Sequence, residues 1–120
     1  MFKPIEGFAE ANKELFDTAE MIEKKTGELE AAREAYLFAK AKVENEYARF
    51  LLESKVKNPD AVQEEIKALA TNLSYGERLN CIKAESAYRR LQNEVKALRE
   101  KLDVMREVSW NLRAEAKIGS

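Results

Sequence analysis

The chain has 120 residues, 36% of them charged, with a net charge of −1, no histidine and one cysteine. Four glycines, two prolines and a high share of Ala, Glu, Lys, Leu and Arg form the composition of long helices in one domain and exclude a disordered or low-complexity chain. Lack of histidine removes the commonest general base and the commonest zinc ligand, so structural zinc sites and His-dependent dyads or triads are excluded.

Phe8, Leu15, Ile22, Leu29, Tyr36, Val43 and Phe50 stand seven apart. Such a ladder predicts one unbroken helix, from about residue 6 to 56, that keeps a single seam against a partner. Pro4 suits the entry to a first turn, and Gly27 in the interior costs only about 1 kcal/mol relative to Ala. Lys55 and Lys57 then place cations at the negative end of the helix dipole.

Asn58-Pro59-Asp60 reads as an N-cap, a first-turn proline and a first-turn acid, which predicts a second helix over about 59–73. Its apolar stripe is Val62, Ile66, Leu69 and Leu73. Ser74-Tyr75-Gly76-Glu77 reads as a Ser-x-x-Glu capping box opening a third helix over about 75–117. There Cys81, Tyr88, Val95 and Leu102 alternate with Ala84, Leu91, Leu98, Met105 and Leu112, and Ser109 is the one polar interruption of the ladder.

The expected fold is all-α: a long antiparallel helical hairpin, coiled-coil-like, with a short connecting helix that forms or flanks the turn. Residues 1–120 then make a single helical domain that dimerises into a bundle, since a hairpin of this size buries stripes and gains from self-association. An extended arrangement, with each long helix paired to another subunit, fits the same pattern.

Charge is unevenly spread. Residues 1–57 hold ten Lys/Arg and twelve Asp/Glu, residues 58–77 one and four, and residues 78–117 ten and six. A mildly basic third helix thus lies beside an acidic remainder. The lone Cys81 forms no intramolecular disulfide framework and points to a reducing compartment. Met1-Phe2-Lys3-Pro4 leads into a charged helix without a signal-peptide pattern, and the longest apolar run, Ala35 to Ala39, is far short of the ~20 residues of a membrane span. A cytoplasmic protein with no membrane contact is expected. Gly119-Ser120 fits either a native helix stop or a cloning remnant.

Several large apolar residues fall outside the seam: Phe16, Leu37, Phe38, Leu51 and Leu52 on the first helix, and Val104, Val108 and Trp110 on the third. A second apolar stripe implies a second partner surface. Packing by the short helix or by a twofold-related subunit would cover it, and so would docking of another protein on aromatic anchors. The residues expected to bind a partner are Phe16, Leu37, Phe38, Leu51, Leu52 and Trp110, edged by Arg106 and Arg113.

Carboxylates at Glu10-Glu14-Asp17, Glu28-Glu30, Glu44-Glu46 and Glu64-Glu65 lack the Glu-x-x-His motif of bundle di-metal sites, and no phosphate-binding glycine loop occurs. No metal, no cofactor and no catalysis are expected. Arg89-Arg90, Arg99, Lys101, Arg106 and Arg113 near Tyr88 and Trp110 leave nucleic-acid binding open. It is not favoured, because Glu94, Glu100, Glu107 and Glu115 interleave with them, Tyr88 is a seam residue, and the pI of 5.7 is well below the ~9 usual for such domains.

The segment Ile82-Lys83-Ala84-Glu85-Ser86-Ala87-Tyr88-Arg89-Arg90-Leu91, with Ala97-Leu98-Arg99, Ser109-Trp110-Asn111-Leu112-Arg113-Ala114-Glu115 and Tyr47-Ala48-Arg49, resembles small helical early-gene accessory proteins of tailed bacteriophages. That resemblance implies a phage-encoded accessory in the host cytoplasm, acting in DNA metabolism or against host defence, and carries no site residue with it. The expected function is therefore a non-enzymatic helical protein that binds or inhibits another protein through a rigid surface. Alternatives are a nucleic-acid-binding accessory in recombination or replication, and a purely structural oligomerising spacer.

Overall fold

The computed structural model describes residues 4–118, and side-chain burial for residues 9–117. The Phe8 side chain, Met1 to Lys3 and Gly119-Ser120 lie outside the described residues. Among those described there are three helices and no strand: α1 Pro4–Lys57, α2 Gln63–Leu73 and α3 Tyr75–Ile118. The fold is all-α, two long helices running antiparallel with a short helix between them.

The chain divides into two compact units, Met1–Leu29 with Leu91–Ser120, and Glu30–Arg90. In the first, Ser109 donates to Asn12 Oδ1 (3.2 Å), Thr18 Oγ1 donates to Met105 Sδ (3.4 Å) and Lys25 Nζ pairs with Glu94 Oε2 (3.3 Å). Partner numbers on α3 fall as those on α1 rise, so the helices are antiparallel. In the second unit the Tyr36 and Tyr88 rings stack with centroids 5.9 Å apart, and the Arg78 guanidinium lies 5.2 Å from the Tyr47 ring centroid.

The ladder residues Leu15, Ile22, Leu29, Tyr36, Val43 and Phe50 are half-buried, as are Tyr88, Leu91, Leu98, Leu102, Met105 and Leu112, while Val95 is buried. One neighbour helix covers one stripe and leaves its flanks wet. Small polar side chains, Thr18 and Ser109, are buried beside the ladder with their hydroxyls bonded, which removes the cost of burying them. Near the end of α1 the covered positions become Tyr47, Phe50, Leu51 and Ser54. A straight helix drifts about 20° per heptad against a strict seven-residue repeat. This drift half-buries Leu51, which the heptad count placed off the seam.

Two terminus signals resolve differently from their sequence reading. Asn58 closes α1 instead of capping α2: its N–H and its Nδ2 both donate to the Ser54 carbonyl, at 2.9 and 3.1 Å. The Ala61 N–H then reaches the Asn58 carbonyl (3.1 Å), so Pro59 is the second residue of a tight turn, and α2 begins at Gln63 after Val62. Ser74 does not form a capping box. Fully buried, its hydroxyl donates back to the Ala70 and Thr71 carbonyls (2.9 and 3.2 Å) and accepts from Arg78 Nε (3.1 Å). Backbone bonds from Ser74 N–H to Ala70 and from Arg78 N–H to Ser74 span the break between α2 and α3. The chain therefore reverses over 58–62, and α2 flanks the turn, with Ile66 and Ala70 buried in the second unit.

Val95→Ala, at a side chain only 2% exposed, should lower unfolding stability by about 2 kcal/mol. Val104→Ala, 60% exposed on the same helix, should stay within about 0.5 kcal/mol. Urea titrations of both variants check this; equal losses would contradict the assigned seam.

Lys25 sits 3.3 Å from both Glu94 and Glu28, and hydrogen bonds to these carboxylates, Glu94 first, hold its ammonium above the ordinary 10.5. A raised folded-state value favours the fold below pH 10.5, and the contribution disappears as pH climbs through the folded value. NMR titration of Lys25 should give a lower midpoint in Glu94→Gln than in the wild type, and the stability gap between the two should close above pH 10.5.

Candidate functional site

The residues expected to bind a partner fall into both units. Phe16, Arg106, Trp110 and Arg113 belong to the first; Leu37, Phe38, Leu51 and Leu52 belong to the second. All but Leu51 are exposed.

In the first unit Trp110 is 69% exposed and forms a ridge between three shallow hollows on α3. One of about 210 Å³ is lined by Asn12, Leu15, Arg106, Ser109, Trp110 and Arg113. A second, of about 90 Å³, lies against Trp110, Arg113, Ala114 and Lys117. A third is bounded by Arg106, Glu107, Trp110 and Asn111. The structure thus brings Trp110, Arg106 and Arg113 together, and adds Asn12 and Leu15 from α1. Phe16 follows Asn12 by one helical turn, which places it on the same face of α1 as that rim.

This geometry follows from the seam. Ser109 is buried and hydrogen-bonded to Asn12, so the next residue on α3, Trp110, is rotated about 100° out of the interface. Arg106 and Arg113 stand four before and three after it, flanking the indole along the helix surface. Arg106 pairs with Asp103 at 3.7 Å in a solvent-exposed contact of little energetic weight. The result is an apolar ridge bordered by Arg106, Arg113 and Lys117, with Glu107 lining the third hollow. Chemically it can accept an apolar side chain against the indole and acidic groups at the rim.

In the second unit, Leu51 and Leu52 join Lys55, Ala61, Gln63, Ile66 and Lys67 around a cleft of about 460 Å³ where α1 ends beside α2. Leu37 and Phe38 lie apart from this cleft, on the outer surface of α1. Among the described residues no group of three or more acidic or cysteine side chains could hold a metal ion, and no helix is long and apolar enough to cross a membrane.

Asn12 was not legible as a site residue, because nothing in its sequence neighbours distinguishes it from other exposed polar positions. Its only signal is Ser109, the polar residue in the α3 ladder, which demands a hydrogen-bonding partner across the seam. Exposed Met21 was also missed, as were Tyr75, Leu79 and Ile82, which follow one another at steps of four and three on one face at the start of α3.

No family model matches the chain, and neither the curated proteins nor the solved structures contain a match to it.

Trp110 is the only tryptophan, so its fluorescence reports this site alone. Iodide should quench it more strongly than caesium, because the cationic border of Arg106, Arg113 and Lys117 concentrates anions. Arg106→Glu should narrow the difference; equal quenching by both ions in the wild type would refute a basic rim.

Proposed function

We propose that this protein is a non-enzymatic, cytoplasmic adaptor or inhibitor that captures another protein on the Trp110 ridge of α3. The observation that carries this reading is Trp110 itself: a large aromatic side chain, 69% exposed, with hollows on either side and arginines on its border. Leaving an indole in water forfeits a large apolar burial, and interfaces place tryptophan and arginine at their energetic centres. The partner would contribute an apolar side chain for the hollows and carboxylates for the rim. The resemblance to phage early-gene accessories read over most of residues 30–116 would make that partner a host-defence or DNA-metabolism factor.

The same gathering of Trp110 with Arg106, Arg113 and Lys117 favours a second reading, a single-stranded nucleic acid stacked on the indole and neutralised along the helix. Salt separates the two. A phosphate-dominated complex loses affinity steeply between ~50 and 200 mM salt, whereas one centred on the indole does not.

The test is quantitative co-purification from host extract, followed by titration of the captured protein. Trp110→Ala should weaken that complex by roughly thirtyfold or more, while Val104→Ala should leave it unchanged. Capture that is indifferent to Trp110→Ala, or a stoichiometric salt-sensitive complex with oligonucleotides, would overturn the protein-capture reading. A purely structural spacer would yield no partner at all.

A further inference from the structure

The outer face of α1 carries a second ladder that the seam with α3 does not use. Ala31, Glu34, Phe38, Ala41, Asn45, Ala48 and Leu52 follow one another at alternating steps of three and four, and all are exposed. Phe38 and Leu52 are 73% and 68% exposed. Steps of three and four are the signature of a helix–helix seam, and this stripe lies on the side of α1 turned away from the first ladder.

We propose that a second copy of this chain packs on this face, antiparallel and about a twofold axis, with Phe38 seated on the partner's Ala41. The choice of occupant comes from self-complementarity. Setting Phe38 against Ala41 simultaneously sets Ala31 against Ala48 and Glu34 beside Asn45, whose amide can donate to the carboxylate. Along the same register Leu52 meets position 27, a glycine where an added Cβ would find nothing within 4 Å. Large thus meets small at Phe38 with Ala41 and at Leu52 with Gly27, polar meets polar at Glu34 with Asn45, and Ala31 with Ala48 lets the backbones approach. On the flank Glu28 comes opposite Arg49, an opposite-charge contact added to the pairs each makes in its own chain, Glu28 with Lys25 and Arg49 with Glu46 and Glu53.

Competing arrangements are poorer. A shift of one heptad in either direction sets Glu34 against Leu52 or against Phe38. A parallel pair sets Glu34 on Glu34 and crowds Phe38 on Phe38. Surface remains for such a contact: the chain exposes 9301 Å², and a stable dimer needs about 800 Å² from each partner. Among the described residues the buried hydrophobics are Ile66, Ala70 and Val95, so little of the apolar surface has yet left water. An isologous interface of this kind uses the same patch twice, and the Trp110 ridge on α3 takes no part in it.

Light scattering on the full chain should give twice 13.7 kDa, and a monomer at tens of micromolar would overturn the proposal. Ala41→Glu, at an exposed position, should keep its helical circular dichroism and weaken the dimer roughly a hundredfold; an unaltered dimer would mean that the copies meet elsewhere. Register is tested without disrupting anything, by co-expressing Ala31→Cys and Ala48→Cys chains in a Cys81→Ser background. Mild oxidation should join one chain of each kind. Disulfide dimers formed by the Ala31→Cys chain alone would show a parallel pair, and no cross-link at all would equally refute the register.

Discussion

A helix that packs against one neighbour can bury one stripe, and nearly everything else in this molecule follows from that limit. α1 and α3 meet along a single line, so their ladder residues are half-buried and few side chains are wholly withdrawn from water. Most of the positions that do become buried carry small side chains, Thr18, Ser54, Ala70, Ser74 and Ser109, beside the larger Ile66 and Val95. Small side chains let two helix backbones approach, and hydroxyls paired across the seam, as in Thr18 with Met105 and Ser109 with Asn12, keep enclosure from leaving an orphaned polar group. Polar contacts here accompany packing and do not replace it.

Chain reversal is governed by backbone accounting. The last carbonyls of α1 need donors, and Asn58 supplies two to the carbonyl of Ser54. Pro59, which has no N–H to satisfy, can occupy the turn at no cost. Further on, Ser74 carries the opposite task. Its hydroxyl and N–H return to α2 while its carbonyl accepts the first bond of α3, so the break between the helices leaves their hydrogen bonding nearly continuous. One buried serine holds two helix ends together.

Surplus apolar surface is the other consequence of a one-stripe contact. On α3 it takes the form of a single indole bordered by arginines, an arrangement suited to grip one partner side chain. On α1 it is a graded line of large and small side chains, which suits another helix of matching profile. These are different kinds of surface, and the occupants proposed for them differ accordingly: a chemically distinct protein for the first, a second copy of the chain for the second. With both roles filled, the helices would be covered on more than one side, which the hairpin cannot achieve alone.

Local repetition made much of the fold legible. A seven-residue ladder in α1 and a cleaner one in α3 predict two long helices and the faces they turn toward each other, because periodicity along a helix is a property of the chain itself. The positions of Trp110, Arg106 and Arg113 outside the ladder were equally readable. Terminus chemistry was not: Asn58 and Ser74 have side chains that can bond forward or backward, and their choice depends on which carbonyls the surrounding packing leaves open. Nor could Leu51 be placed, since the drift of a straight helix against a heptad count accumulates over many turns. Sequence by itself determined the helices, their seam and their surplus. Only tertiary structure decided that the helices pair within one chain, where it reverses, and that Asn12 and Leu15 complete the wall around Trp110. Those outcomes depend on contacts between residues distant in the chain, and no local pattern encodes them.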